Sequence, residues 1–167
     1  MKTAIFVVGD AGSGKSSVIR ALTGYGGRVY LWEVRNLAGN PINAFILLMS
    51  LQEDAKLKNI KPNPHLYEEI ENEKDVRHDD YELFVCPLQI NPAKPGLYNF
   101  DEYLQAFIDS NEFDVRIALI ENSWNTSQVN VTRVKNFIAS HNLRSINLDV
   151  NNDEHLEARK VRDNLYP

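Results

Sequence analysis

The segment from residue 5 to residue 20 constrains the fold of this chain more than any other stretch. An apolar run at residues 5–8 is followed by a glycine-rich turn ending in Gly14-Lys15-Ser16, and a helical pattern of apolar residues comes after the turn. Residues 9–16 match the spacing Gly-x-x-x-x-Gly-Lys-Ser/Thr. The match lies between a predicted strand and a predicted helix, which is the context that this spacing requires. The sequence therefore predicts a buried strand, a tight turn and a helix that packs on the sheet.

Each residue type in this turn has a physical role in holding phosphate. Glycine adopts positive φ at little cost, so Gly9, Gly12 and Gly14 let the backbone come close to a ligand. The N–H groups of the turn then face an anion at the positive end of a helix dipole. Lys15 supplies a cation for the β- and γ-phosphates, and the Ser16 hydroxyl is a ligand for Mg²⁺. The predicted cofactor-binding residues are Gly9, Asp10, Ala11, Gly12, Ser13, Gly14, Lys15, Ser16 and Ser17.

The motif resembles the Walker A loop of the P-loop NTPase superfamily. The specific part of the resemblance covers about a tenth of the chain. It implies a nucleotide-binding α/β domain that holds ATP, or another nucleoside triphosphate, together with Mg²⁺. The superfamily includes kinases, GTPases, motor and packaging ATPases and switches, so the resemblance leaves the activity open.

Length and composition favour one globular domain that spans residues 1–167. The chain is 43% hydrophobic and 25% charged, which is enough apolar material for a sizeable core. Because no apolar run approaches about 18 residues, we expect no membrane span, and the N-terminus does not read as a secretory signal. The single cysteine, Cys86, fits a reducing compartment and a cytoplasmic location. It lies in an apolar run, which predicts a buried and inert thiol.

The negative charge of the chain is concentrated in one segment. Residues 68–82 hold eight acidic and two basic residues, so this segment has a charge of −6. The rest of the chain sums to +1, which gives the net charge of −5. The remaining chain lacks a general basic footprint, and nucleic acid is not an indicated partner. Residues 56–80 as a whole read as a charged insertion with a short helix at residues 65–74. A solvated excursion is the favoured interpretation, and a lid or a partner-binding arm is the alternative.

The pattern of apolar runs predicts a three-layer α/β/α sandwich around a mainly parallel five-stranded sheet. The predicted strands cover residues 2–8, 28–35, 81–90, 114–121 and 145–150. Predicted helices cover residues 15–23, 65–74, 99–108, 127–141 and 152–165, and a further helix at 40–49 has Asn40 as its N-cap and Pro41 as its first residue. Its segment 44–49 is apolar nearly all round, so it is either buried or meets a partner. Glycines at 24, 26 and 27 are predicted to end the first helix.

Two carboxylates are candidates for the chemistry of the site. Residues 117–121 form an apolar run that ends in Glu121 and resembles the Walker B element, which makes Glu121 the candidate catalytic acid and, with Ser16, the candidate metal ligand. Glu33 lies near the end of the predicted second strand and is a candidate general base. Ligands of parallel sheets bind outside the carboxyl ends of the strands. The rule predicts one rim that carries the loop, Glu33, Glu121 and the segment after Val150.

Three functions remain open on these residues. The leading one is a Mg²⁺-dependent ATPase that uses Lys15, Ser16 and Glu121. The second is a small-molecule or nucleoside kinase with Glu33 as base, because residues 31–34 and 119–123 loosely resemble two motifs of deoxynucleoside kinases. Val34 and Asn122 depart from those motifs.

The third function is a non-hydrolysing nucleotide-dependent switch or assembly subunit, in which segment 44–49 and the acidic arm contact a protein partner or a second copy. GTP specificity is disfavoured because the chain lacks Asp-x-x-Gly after a strand and Asn-Lys-x-Asp. Basic residues of the last predicted helix are candidates for an arginine finger, with a solvated basic face as the more usual explanation. They are Arg159, Lys160 and Arg162.

Overall fold

The computed structural model describes residues 1–24, 29–92, 94–123, 126–151 and 153–167. Its strands are β1 Lys2–Gly9, β2 Leu31–Arg35, β3 Pro41–Ile46, β4 Leu83–Gln89, β5 Phe113–Asn122 and β6 Arg144–Asp149. Its α-helices are α1 Lys15–Thr23, α2 Leu66–Glu73, α3 Phe100–Asp109, α4 Gln128–His141 and α5 Glu154–Leu165, and a short 3₁₀ turn covers His78–Asp80. Some predictions fall on residues outside the described ranges. They are the boundaries at residues 28 and 152, the helix stop at Gly26 and Gly27, and the segment of Trp124 and Asn125.

The strands form one mostly parallel sheet in the order β2-β3-β4-β1-β5-β6. All neighbouring strands run parallel except β2 and β3, which pair antiparallel. The centre of β1 is buried on both faces, as its continuous apolar run predicts. Ile5 and Val7 pack with α1 and α5, while Phe6 and Val8 pack with α2, α3 and α4. The α/β class with helices on both faces is confirmed, and the described sheet has six strands where five were predicted.

The additional strand is β3, which occupies the segment predicted as a helix at residues 40–49. Asn36 N donates to Asn40 O at 3.1 Å across a tight turn in which Gly39 has φ 84°, so the chain reverses here as a hairpin. Pro41 is the first residue of the strand, where proline is tolerated. A short continuous apolar run does not distinguish a buried strand from a buried helix. The helix prediction was wrong because the run lies between two other strands of the sheet.

The hairpin also changes the direction of the second strand. Since β2 runs antiparallel to β3, its carboxyl end lies at the edge of the sheet where the parallel strands begin. Glu33 pairs with Asn43 near the start of β3. Three strand spacings, or about 14 Å, also separate β2 from β1. The predicted placement of Glu33 on the rim beside the loop is therefore wrong.

Residues 56–80 are packed on the domain. The short predicted helix is confirmed as α2, and its Leu66 and Ile70 are buried in the core with Leu57. The Lys74 ammonium donates to the Asp54 carboxylate at 2.6 Å, which holds the C-terminal end of α2 against the residues that precede this segment. The interpretation as a solvated excursion was wrong, because the apolar side of α2 is covered; Glu68, Glu69 and Glu73 are exposed, while Glu71 is buried and accepts from the Tyr81 hydroxyl at 3.1 Å.

Several local predictions are confirmed. Gly24 ends α1 with φ 69°, and its N–H donates to Arg20 O at 2.8 Å. The backbone N–H of Asn99 donates to the Glu102 carboxylate at 2.9 Å, as a capping box requires at the start of α3. Cys86 is fully buried, and burial raises the pKa of its thiol well above the usual value. Within the described residues, none of the helices has the length and apolarity needed to cross a bilayer.

Candidate functional site

The glycine-rich loop connects the central strand β1 to the start of α1, at the carboxyl edge of the parallel strands. Gly12 has φ 72° and Gly14 has φ 94°, so both adopt the left-handed conformation that favours glycine. Gly9 has no such φ, but a Cβ there would overlap the Ser13 hydroxyl and lie 3.2 Å from the Ile120 Cβ. Backbone conformation or close packing therefore favours glycine at all three positions, and the loop is folded tightly on itself.

Ser13 is a buried polar residue inside this loop. Its N–H donates to Asp10 O at 3.1 Å, which closes the turn. The residue is 2% exposed, and its Oγ has no hydrogen-bond partner among the described residues. A buried hydroxyl without a partner costs about 1–3 kcal/mol. The loop thus contains a buried hydroxyl for which the described residues supply no partner.

Lys15 lies folded back over the loop. Its Nζ donates to Asp10 O at 2.7 Å and to Gly9 O at 3.2 Å, and the residue is only 6% exposed. Burial lowers the pKa of this ammonium to about 8, and the nearby charges of Glu53 and Asp10 oppose the shift. An ammonium has three donors, so one remains after these two contacts. The side chain is a desolvated cation held against the turn that it was predicted to serve.

Asp10 anchors the loop to the start of α4. Its Oδ1 accepts from Asn130 Nδ2 at 2.6 Å, and its Oδ2 accepts from the backbone N–H of Ser127 at 2.8 Å. Ser127 is the N-cap residue of α4, so the carboxylate also lies at the positive end of that helix. The motif gave Asp10 no specific role, because both partners are more than 100 residues away in the chain.

Ser16 lies at the first turn of α1 and contacts the segment that follows β3. Its Oγ donates to Leu48 O at 2.7 Å. A serine hydroxyl has one donor and two acceptor lone pairs, so this contact uses the proton and leaves the lone pairs free. The orientation is compatible with the predicted role of Ser16 as a ligand for Mg²⁺.

A polar cluster that the sequence did not indicate lies beside the loop. Gln89 pairs in register with Gly9, and its backbone N–H and C=O are both held by the buried side chain of Gln52 at 3.2 and 2.8 Å. The Gln89 Nε2 donates to the Glu53 carboxylate. Glu53 in turn is the carboxylate with the largest electrostatic influence on Lys15. The predicted third strand carried no acid at its end, and the structure brings one there from the segment after β3.

Glu121 lies at the same edge of the sheet, near the end of β5. Its carboxylate is paired with the Lys135 ammonium of α4. A cavity of about 390 Å³ opens beside it, lined by polar residues of β5, β6, α4 and α5: Glu121, Asn122, Gln128, Asn147, Asp149 and Lys160. Val150 lies 3.9 Å from the position of a Cβ on Gly14, so the segment after β6 borders the loop as predicted.

Two of the three basic residues of α5 face another part of the molecule, while Lys160 lines the cavity beside Glu121. Arg159 and Arg162 line a cavity of about 420 Å³ beside Ala21 and Leu22, in the second half of α1. Lys160 donates to Glu157 at 2.7 Å. The described contacts bring none of the three cations to the loop.

Comparison with protein families and with curated proteins found no relative of this chain. Among the described residues, no group of three His, Cys, Asp or Glu side chains forms a metal-binding cluster. Any functional assignment therefore rests on the geometry of the loop and its neighbours.

Proposed function

We propose that this chain binds ATP with Mg²⁺ in the loop of residues 9–16 and hydrolyses it. The observation that carries the proposal is the geometry of the loop. Two residues, Gly12 and Gly14, hold left-handed backbone, the Ser13 hydroxyl is buried without a described partner, and the Lys15 ammonium is desolvated. The buried hydroxyl and the desolvated ammonium each cost folding free energy, and both gain a partner when a polyphosphate is bound.

The residues of the loop would divide the work of holding the triphosphate. Lys15 would exchange its contacts with the loop carbonyls for phosphate oxygens, which are stronger partners for an ammonium. The Ser16 lone pairs would face the metal while its proton stays on Leu48 O. When bound, Mg²⁺ would neutralise charge on the β- and γ-phosphates. Asp10 would keep the loop fixed against α4 during the reaction.

Two carboxylates are candidates for the acid on the magnesium side. Glu121 is supported by its sequence context, but it is paired with Lys135 and would have to leave that partner. Glu53 is supported by its electrostatic effect on Lys15 and by its contact with Gln89, which lies opposite Gly9. These contacts favour Glu53. No described contact favours Glu33 as a base, since its carboxylate is exposed and pairs with Arg35 at 3.6 Å.

Calorimetry with Mg-ATP and Mg-GTP, followed by phosphate release without an acceptor, tests the proposal. We expect ATP to bind and inorganic phosphate to be released, and Lys15→Ala to abolish the release. Arg144→Ala is the charge-matched control, because Arg144 is exposed at the start of β6, the end of the strand opposite the loop. Absence of nucleotide binding by the wild-type chain would overturn the whole proposal. Tight binding without turnover would overturn hydrolysis and favour a switch, and release only with an added acceptor would favour a kinase.

A further inference from the structure

The strand β2 forms an edge of the sheet, and its free backbone groups can be assigned. Ile46 N donates to Tyr30 O at 2.9 Å and Asn36 N donates to Asn40 O at 3.1 Å, so the even-numbered residues point their backbone groups toward β3. Backbone groups alternate in direction along an antiparallel strand. The N–H and C=O groups of Leu31, Glu33 and Arg35 therefore point away from β3, and β2 has no other strand neighbour among the described residues.

This edge has only part of the usual protection against pairing. Natural edge strands are blunted by short length, charged side chains, proline or bulges; β2 is short and carries two charged residues, but within the described residues it has neither proline nor a bulge. Here Leu31 is 37% exposed and Trp32 40% exposed on the strand, and Leu37 in the adjoining turn is 67% exposed. The charged residues Glu33 and Arg35 lie on the same face of the strand as Leu31, and both side chains are more than half exposed. The edge thus combines free hydrogen-bonding groups, apolar side chains and one charge of each sign.

We propose that two copies of this chain pair antiparallel through β2, with the two-fold axis at Val34, and form one continuous sheet. In this register Glu33 of each copy lies opposite Arg35 of the other copy. Both residues have outward backbone groups, so they form hydrogen-bonded pairs across the axis. Leu31 then lies next to Leu37, in the turn that follows β2 of the second copy. Directly opposite side chains of unlike charge, or both apolar, stabilise a pair of strands.

The two neighbouring registers would place like charges opposite each other. An axis at Glu33 places the two Glu33 carboxylates opposite each other and sets Leu31 against Arg35. An axis at Arg35 places two guanidinium groups together and sets Glu33 against Leu37. Like charges directly opposite each other destabilise strand pairing. The strand is therefore complementary to itself in one register, which is why a second copy is the occupant that fits.

The surface lies away from the candidate nucleotide site. β2 is separated from β1 by two strands, and no residue of the loop takes part in the pairing. The proposal does not rest on ATP binding, and the loop of each copy would stay accessible in the dimer. Dimerisation and nucleotide binding can be measured independently on the same variants.

A charge exchange between two variants tests the register directly. Glu33→Arg creates a chain with two arginines at the pairing positions, and Arg35→Glu creates a chain with two glutamates. We expect each variant alone to have half the wild-type mass by light scattering, because every pair across the axis is then of like charge. An equimolar mixture restores opposite charges at both positions, and we expect it to regain the dimer mass. The double variant Glu33→Arg/Arg35→Glu is likewise expected to dimerise.

Hydrogen exchange gives a second readout on the wild-type chain. The amides of Glu33 and Arg35 should be protected at dimer concentrations and should exchange rapidly in each single variant. Rescue on mixing excludes misfolding as the cause of dissociation, since a misfolded chain would not regain pairing when the other variant is added. A wild-type chain that stays monomeric up to about 1 mM would overturn the proposal. Single variants that keep the wild-type mass, or a mixture that stays monomeric, would overturn it as well.

Discussion

The ammonium of Lys15 lies 2.7 Å from the carbonyl oxygen of Asp10, within the same turn that the lysine is predicted to serve. The contact buries a cation that in an extended chain would be fully hydrated. Burial lowers the pKa of Lys15 from 10.5 to about 8, so the folded state bears a cost whenever this group is charged. Because the Lys15 ammonium is already desolvated in the free protein, ligand binding would not incur that desolvation free energy again.

Replacement of Lys15 by methionine is expected to stabilise the free protein at pH 7 by about 1–3 kcal/mol, while it abolishes ATP binding. Below pH 8 the ammonium is charged in both states, and its desolvation destabilises the fold in full. Between pH 8 and 10.5 the unfolded chain binds more protons, so the wild-type stability rises with pH, by about 3 kcal/mol at most. Urea unfolding of both proteins at pH 7 and pH 10 measures the difference. A variant less stable than wild type at pH 7, or a pH-independent difference, would contradict this account.

Gly14 and Gly24 provide a matched pair for the loop. Both are left-handed, with φ 94° and 69°, and among the described residues a Cβ would meet nothing closer than 3.9 Å at either position. Alanine at either site is therefore expected to cost about 1–2 kcal/mol through backbone conformation alone. We expect Gly14→Ala also to weaken ATP binding at least tenfold, and Gly24→Ala to leave it unchanged. Chemical unfolding and calorimetry separate the two effects, and equal losses of affinity would show that the loop conformation has no special role.

The close approach of Gly9 to Ser13 is testable by a double-mutant cycle. Gly9→Ala places a Cβ against the Ser13 hydroxyl, and we expect a loss of about 1–3 kcal/mol. Ser13→Ala alone should be neutral or slightly stabilising, because the hydroxyl has no described partner. In the Ser13→Ala background the cost of Gly9→Ala should fall by about 1 kcal/mol, with the Ile120 contact at 3.2 Å as the remainder. Additive effects in urea unfolding would argue against this contact.

The acid on the magnesium side is identified by two conservative substitutions. We expect Glu53→Gln to lower phosphate release at least tenfold, because its charge acts on Lys15 and its carboxylate contacts Gln89. Glu121→Gln should have the smaller effect, since Glu121 is already neutralised by Lys135. Single-turnover rates at saturating Mg-ATP give the comparison, and ATP affinity is the control for loop integrity. The reverse order of effects would return the role to Glu121, as its sequence context predicts.

The long alternating elements could be predicted because their patterns are local. The buried run of β1, the glycine turn and the apolar spacing of α1 specify one another within about 20 residues, and the capping box at Asn99 does the same for α3. The segment at Pro41–Ile46 carried an apolar run too short to specify its own state. Its neighbours β2 and β4 decided it, because a strand in that position completes two hydrogen-bond ladders.

The sequence by itself determined the loop: glycines that tolerate left-handed backbone, a lysine and a serine at fixed spacing. Only the tertiary structure decided which groups surround it. Asp10 contacts Asn130, and Glu53 contacts Gln89. Glu33 lies away from the loop, on an edge strand that runs antiparallel to its neighbour. The physical reason is that backbone conformation depends on adjacent residues, whereas hydrogen bonds and charges act between residues that the sheet alone brings together.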